Sequence, residues 1–501
     1  YLEYHRGTYT SAARNKKYNR KSELLYQNAE LLSSIAKNLT ALPYPAAALS
    51  DGWRTILINQ FHDILPGSSI PEVYRESEQQ YKTILNTADS IIQSAYQSIA
   101  DNISTDGGIL VFNPHSFVGS DIVMVDGKAV FAENIPPKGY KVVQPAEKLS
   151  EVILNGKTIE NRFFIIEFDE AMQIKSLFDK RANRQVIAEG QRGNVLRVYE
   201  DLPFQYDCWN LEIYHKDKSW VVDDVASVEE VRNGTRSGFR VVRRFMSSTI
   251  TQNVWLYDDI DRIDFETEAD WQEVNLILKA EFTLDINADS AVYDIQFGHT
   301  RRPTHCNTSW DQAKFEVCAQ KYADLSDYGY GVSLINDCKY GYDIHGNTMK
   351  ISLIKCSKYP NEFIDKGTHT FTYSLFPHPG DFRAAGTIRH AYYVNQPMTG
   401  MRVGKRAGVL PESYSFVSCD KENIVIETIK QSEDGDGIVL RMYESFNMHT
   451  DATLTFGFEA EKVFLCDLLE NELEELPVRN GGVRLHVKPF EIITVKVKDR
   501  K

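Results

Sequence analysis

Along roughly the first hundred residues, apolar side chains return every three or four positions, the period of an α-helix with one buried face. From Lys21 to Asn38 the segment KSELLYQNAELLSSIAKN carries a stripe at Leu24, Leu25, Ala29, Leu32 and Ile35 before Pro43 and Pro45 interrupt it. A second helix is predicted from about Ala46 to Ile64, with Trp53, Ile56, Leu57, Phe61 and Ile64 on its stripe. Pro66-Gly67 stops it, and Ser68 or Ser69 can cap the next element. The third, about Pro71 to Ile99, repeats Val73, Tyr74, Tyr81, Ile84, Leu85, Ala88, Ile91, Ile92, Ala95 and Ile99. Three amphipathic helices with short connections predict an antiparallel three-helix bundle.

After Asp106-Gly107-Gly108 the period drops to two and turn residues become frequent, the signature of strands. GILVFNP (Gly108 to Pro114) reads as a strand ending in a turn, and Val483/Leu485/Val487 and Ile493/Val495/Val497 alternate cleanly near the end. The expected class is α+β and multidomain, a three-helix bundle followed by β-sandwich domains. The expected divisions are a junction at 1–20, the bundle at 21–105, a small β domain at 106–148, a large β-sandwich at 149–396 and a last β-sandwich at 397–501. Pro397 to Pro411, rich in Gly, Met and Arg, reads as a linker. No low-complexity tract or regular repeat occurs.

Length supports this division, because 501 residues exceed what one hydrophobic core encloses. The net charge of −14 disfavours nucleic acid and anionic membrane as partners, since both repel it. Seven cysteines, an odd number with no C-x-x-C spacing, read as reduced thiols and point to the cytoplasm. No apolar run approaches transmembrane length, and no signal peptide is seen. The chain opens on Tyr1 within a patterned segment, so further sequence is expected to precede it.

The candidate chemistry concentrates in Asn59-Gln60-Phe61-His62-Asp63-Ile64-Leu65-Pro66-Gly67-Ser68-Ser69, where the second helix meets its Pro-Gly turn. His62 there can present an imidazole nitrogen to a metal with a carboxylate beside it. A helix-end histidine favoured by the helix dipole fits the same position. His299 and His305 are six apart, which matches neither a helix face nor a zinc-finger spacing. Arg301 and Arg302, with His305, Trp310 and Asp311, fall in a Pro-bounded loop able to offer donors and an aromatic face. Asp207 with Trp209, and Asn336 with Asp337, are similar polar candidates, and buried structural groups at turns fit them as well.

NQFHDILPGSS resembles the conserved helical motif of glycoside hydrolase family 38 α-mannosidases. YLEYHRGTYTSAARNKKYNR (Tyr1 to Arg20) is similar to that family's joint between catalytic barrel and helical bundle. The likeness continues through YDCW (Tyr206 to Trp209), QFGHTRRPTHCNTSWDQAKFE (Gln296 to Glu316), DYGYGVSLINDCKYG (Asp327 to Gly341) and FTYSLFPHPGDF (Phe371 to Phe382), and it fits best the cytosolic and bacterial branch.

The resemblance implies a retaining, zinc-dependent enzyme that cleaves terminal α-linked mannose, and a mutarotase-like supersandwich for the large β region. It implies His62 as one zinc ligand and Asp63 as an acceptor for a sugar hydroxyl. Asp207, Trp209 and Arg302 are expected in the substrate-binding wall. The nucleophile, the acid and the other zinc ligands belong to the family's preceding barrel, so no catalytic residue is expected in this chain. One histidine cannot hold zinc tightly, since catalytic zinc takes three protein ligands. The chain alone is therefore expected to be inactive, with a mannoside or mannose-containing oligosaccharide and the missing N-terminal catalytic domain as partners. A homo-oligomer stays open. A non-catalytic carbohydrate-binding module and a structural β-sandwich protein are the alternatives. If a barrel is missing, the faces that met it should expose apolar surface around His62.

Overall fold

A computed structural model describes residues 4–144 and 149–499. Tyr1 to Glu3, where the expected junction begins, and 145–148, where the small β domain was expected to end, lie outside the described residues.

Three long helices come first: α1 (Ala13–Thr40), α2 (Ala46–Asn59) and α3 (Pro71–Asn102). Their buried sides follow the apolar stripes, with Tyr26, Ala29, Leu32 and Ile35 on α1 and Tyr81, Ile84, Ala88, Ile92, Ala95 and Ile99 on α3. Helix α2 lies close to α1 because Gly52 has no side chain; a Cβ there would sit 2.0 Å from the Tyr26 hydroxyl. Two features depart from the sequence reading. Helix α1 starts at Ala13, because Asn15, Lys16, Asn19 and Arg20 extend its buried face with polar side chains. Helix α2 stops at Asn59, before Phe61 and Ile64, and Leu57 within it and Phe61 after it stand on the surface instead of in the core.

The β part is built from antiparallel pairs. An 11-stranded and a 9-stranded sheet enclose one large core that includes Phe164, Ile166, Leu196, Val254, Phe265, Trp271, Val332 and Tyr373. Roughly 25 cal/mol per Å2 of apolar area removed from water makes such two-sheet closure favourable. At the C-terminal end a 3-stranded and a 5-stranded sheet face each other. Their core is continuous with that of the helices: Ile35, Ile56 and Ile84 join Ile426, Leu440 and Val495. The bundle is thus closed by the last sandwich as well as by its own helices.

The stretch read as a linker is partly a strand. Thr399–Val403 pairs antiparallel with Gly108–Asn113, which also pairs with Gly139–Val143. Its alternating Met401 and Val403 pack against the core while Arg402 faces out to Asp126. No described helix is long and apolar enough to cross a membrane.

Candidate functional site

The seam between the helices and the large sandwich is built by residues 5–20. Asp365 accepts from the backbone N–H groups of Ala12 and Ala13, both at 2.8 Å, and so satisfies the orphan donors that open α1. Arg14 donates to Ile364 O and Lys366 O, each at 2.8 Å. Arg20 is buried and reaches Asn336 Oδ1 at 2.9 Å and Gln320 O at 2.9 Å, with its guanidinium 4.2 Å above the Tyr340 ring. Lys21 pairs with Asp337 at 3.2 Å. Asn336 and Asp337 therefore serve this seam.

One turn beyond the seam stands the His62 corner. After α2 ends, residues 60–67 form tight turns. Gly67 takes φ +97°, and a Cβ there would lie 2.6 Å from Ser11 O. Lys16 reaches up from α1 and donates to Leu65 O at 2.9 Å, to Pro66 O at 3.0 Å and to Ser11 O. Burial pushes the Lys16 ammonium down to about 7 against the pull of Asp365. The Tyr74 hydroxyl donates to Ile64 O at 3.1 Å and accepts from Ser69 N–H at 3.0 Å. The carbonyls of Ile64, Leu65 and Pro66 beneath the turn are thus engaged, while the His62 and Asp63 side chains above it are exposed. His62 is 78% exposed and Asp63 52%, with Nε2 3.6 Å from Oδ2. The Phe61 ring lies 4.2 Å from the imidazole.

Trp209 joins this corner through Tyr74, which packs with Trp209 against Ala12, Cys208 and Ile364. Gly7 N–H donates to Trp209 O at 2.8 Å, and Ser11 Oγ to Cys208 O at 2.7 Å. The indole has Tyr206 and Tyr359 as ring neighbours at 5.9 and 6.2 Å. Asp207 sits beside it, its carbonyl taking Ser357 Oγ at 3.0 Å and the Lys355 ammonium. Arg302 lies on the strand Gly298–Pro303 and not in a loop, with its guanidinium 4.4 Å over Tyr293. Burial pushes that guanidinium below its usual value, and its Nη1 has no hydrogen-bond acceptor among the described residues. His299 packs between Phe382 and Phe490, whereas His305 faces Asp311 at 3.7 Å, so the two histidines form no pair.

Large apolar side chains stand exposed on both flanks of the corner: Leu57, Ile58 and Phe61 on the helix side, Phe204, Tyr206, Tyr359 and Phe363 on the sandwich side. Among the described residues no group of three or more His, Cys, Asp or Glu is placed to hold a metal ion. His62 and Asp63 offer one edge of a metal or sugar site and not a whole one. The roles of Lys16 and Asp365 escape a search for apolar stripes, and Tyr74 reads only as part of one. Their signal is positional, since Lys16 falls on the helical face that Asn19, Arg20 and Tyr26 continue.

Three family models match the chain: "Alpha mannosidase middle domain" over residues 3–99, "Glycosyl hydrolases family 38 C-terminal domain" over 159–363, and "Glycosyl hydrolases family 38 C-terminal beta sandwich domain" over 423–495. The chain is 34% identical to alpha-mannosidase 2C1 of Homo sapiens, over 99% of its own length and 50% of the relative's. It is 29% identical to alpha-mannosidase of Saccharomyces cerevisiae, over 99% of its length and 48% of the relative's. The chain spans about half the length of the curated relatives it matches. The crystal structure of an alpha-mannosidase from Enterococcus faecalis V583 superposes with a TM-score of 0.85 at 16% identity, covering 98% of this chain and 68% of that one, which is a likeness of fold.

Proposed function

From the premise that this chain belongs to glycosyl hydrolase family 38, we propose that it is the middle and C-terminal part of a retaining, zinc-dependent α-mannosidase acting on terminal α-linked mannose. The observation that carries this reading is the free His62–Asp63 edge set between two exposed apolar flanks. Its carbonyls are held from beneath by Lys16 and Tyr74, and its two polar side chains stand exposed above. A finished surface would bury Ile58 and Phe61 or replace them with polar groups.

Each side chain has a definite capacity. The His62 imidazole offers a nitrogen lone pair as one of the zinc ligands. The Asp63 carboxylate can accept from a sugar hydroxyl. Trp209, between Tyr206 and Tyr359, supplies an apolar face for a pyranose ring, with Asp207 beside it. Arg302 brings a buried Nη1 donor that has no acceptor among the described residues. By themselves these residues do not fit a zinc ion, because one imidazole and its neighbouring carboxylate leave the ligand set incomplete. Retention of configuration takes two carboxyl groups about 5 Å apart across the scissile bond. We assign that pair, with the remaining zinc ligands, to sequence outside this chain. The cytoplasm suits seven free cysteines.

Hydrolysis of p-nitrophenyl α-mannoside tests the reading. The 501-residue chain is expected to release no nitrophenol, and a longer protein that carries it is expected to do so. Turnover by the chain alone would place a complete site within it and overturn the assignment.

A further inference from the structure

Cys306, His345 and Asp343 form a relay that the mannosidase reading does not use. Cys306 Sγ lies 3.5 Å from His345 Nδ1. His345 Nε2 lies 3.3 Å from Asp343 Oδ1. The relay is rigidly mounted. His345 ends the strand Gly341–His345, and Gly346 N–H donates to Thr304 O at 2.7 Å, which fixes the two segments together two residues before the thiol. On the other side, the Thr308–Asp311 capping box anchors the chain just after Cys306.

The electrostatics suit proton removal from sulfur. Asp343 is 1% exposed, and its Oδ1 faces the imidazole with no hydrogen-bond donor among the described residues. Burial alone would raise the Asp343 carboxyl, but Lys216, Lys279 and Lys350 outweigh it and hold it down at about 2. Burial lowers His345, against the pull of Asp343 and with Lys216 and Lys350 adding to it, which favours the neutral imidazole. In the tautomer that carries its proton on Nε2, the Nδ1 beside Cys306 Sγ is the acceptor for the thiol proton. The other cysteines lack this arrangement: Cys208, Cys338, Cys356 and Cys466 are buried and Cys318 and Cys419 half-buried, whereas Cys306 is exposed. Burial pushes the thiols of Cys208 and Cys419 up to about 11 and those of Cys338 and Cys356 to about 12.

We propose that Cys306 is a reactive thiol that exchanges with small-molecule disulfides, with His345 as its base and Asp343 as the buried negative charge beside the imidazole. The His345 nitrogen takes the thiol proton as sulfur attacks one sulfur of the disulfide. The disulfide S–S bond breaks and a Cys306 mixed disulfide forms. The displaced thiolate leaves with the proton from the imidazolium. The protein thiol is oxidised and one half of the disulfide is reduced, so no further oxidant is required.

The test is timed incubation of the chain with oxidised glutathione at pH 6.5 and 7.5, with peptide mapping of the adduct. Cys306 is expected to carry a single adduct and to react roughly 10-fold faster at pH 6.5 than an unstructured peptide of the same local sequence. His345→Gln is expected to bring the rate down to that of the peptide with the thermal melt unchanged. If His345→Gln unfolds, the wild-type chain compared with the peptide decides alone. Reaction at the peptide's rate, an adduct chiefly on another cysteine, or a folded His345→Gln protein that reacts like wild type would overturn the proposal.

Discussion

The seam between helices and large sandwich and the His62 corner lie next to each other and are built in opposite ways. In the seam, charged groups are buried and satisfied: Asp365 takes two backbone N–H groups, and Arg20 finds acceptors on three sides of its guanidinium. In the corner, His62 and Asp63 are exposed, and apolar side chains stand beside them in water. The seam is a completed interface, whereas the corner has the composition of an interface with one side absent. Lys16 ties the two together, since it is rooted in the seam and holds the corner's carbonyls.

Arg20→Ala should have the largest effect, a loss of about 4 kcal/mol in chemical denaturation, because it removes a buried guanidinium whose charge-assisted hydrogen bonds join α1 to Asn336 Oδ1, Gln320 O and Lys339 O. A loss under about 1 kcal/mol would remove the distinction between seam and corner. Next comes a paired comparison on α2. Ile56 is fully buried, and Ile56→Ala should cost about 3 kcal/mol. Ile58 is 63% exposed, and Ile58→Ser should shift stability by no more than about 0.5 kcal/mol. Equal losses would mean that the corner is already packed.

A smaller effect should follow pH. Lys16 has a folded pKa near 7 against an ordinary 10.5. Between those values the unfolded chain binds the proton and the folded chain does not, so stability rises with pH across the window from about 7 to about 10.5. Below pH 7 both states are protonated and the contribution no longer changes. Denaturation of the wild type and of Lys16→Met at pH 7, 8.5 and 10 should show the wild type gaining on the variant as pH rises. A constant difference would place the ammonium in a better-solvated site. The smallest effect belongs to His62→Ala, whose melt should match wild type because the side chain touches little but Phe61 and Asp63.

The amphipathic stripes of α1 to α3 and the alternation of the strands were legible because they repeat at the period of their element. The resemblance around His62 located the corner, although nothing in the local pattern separates a metal ligand from a helix-end histidine. Three features were out of reach for physical reasons. Helix α1 begins early because its first buried turns are polar, and a stripe defined by apolar residues overlooks Lys16 and Arg20. Thr399–Val403 is too short, and too interrupted by Gly and Arg, to read as a strand, yet its partner Gly108–Asn113 lies far away in sequence and supplies the ladder. Arg302 looked like part of a loop beside Trp310, and only the pairing of Gly298–Pro303 with Ser290–Ile295 shows it on a strand over Tyr293.

The central claim is that the His62 corner is one edge of a zinc site completed by sequence outside this chain. Zinc titration by calorimetry tests it most directly, on the 501-residue chain, on a longer protein that carries it, and on His62→Ala in both. The account predicts no tight zinc binding by the chain, one tightly bound zinc in the longer protein, and a loss of roughly 100-fold or more in affinity with His62→Ala there, as removal of a direct ligand should exceed the 10- to 100-fold typical of outer-sphere partners. Tight zinc binding by the chain alone, or unchanged affinity in the longer His62→Ala protein, would contradict it.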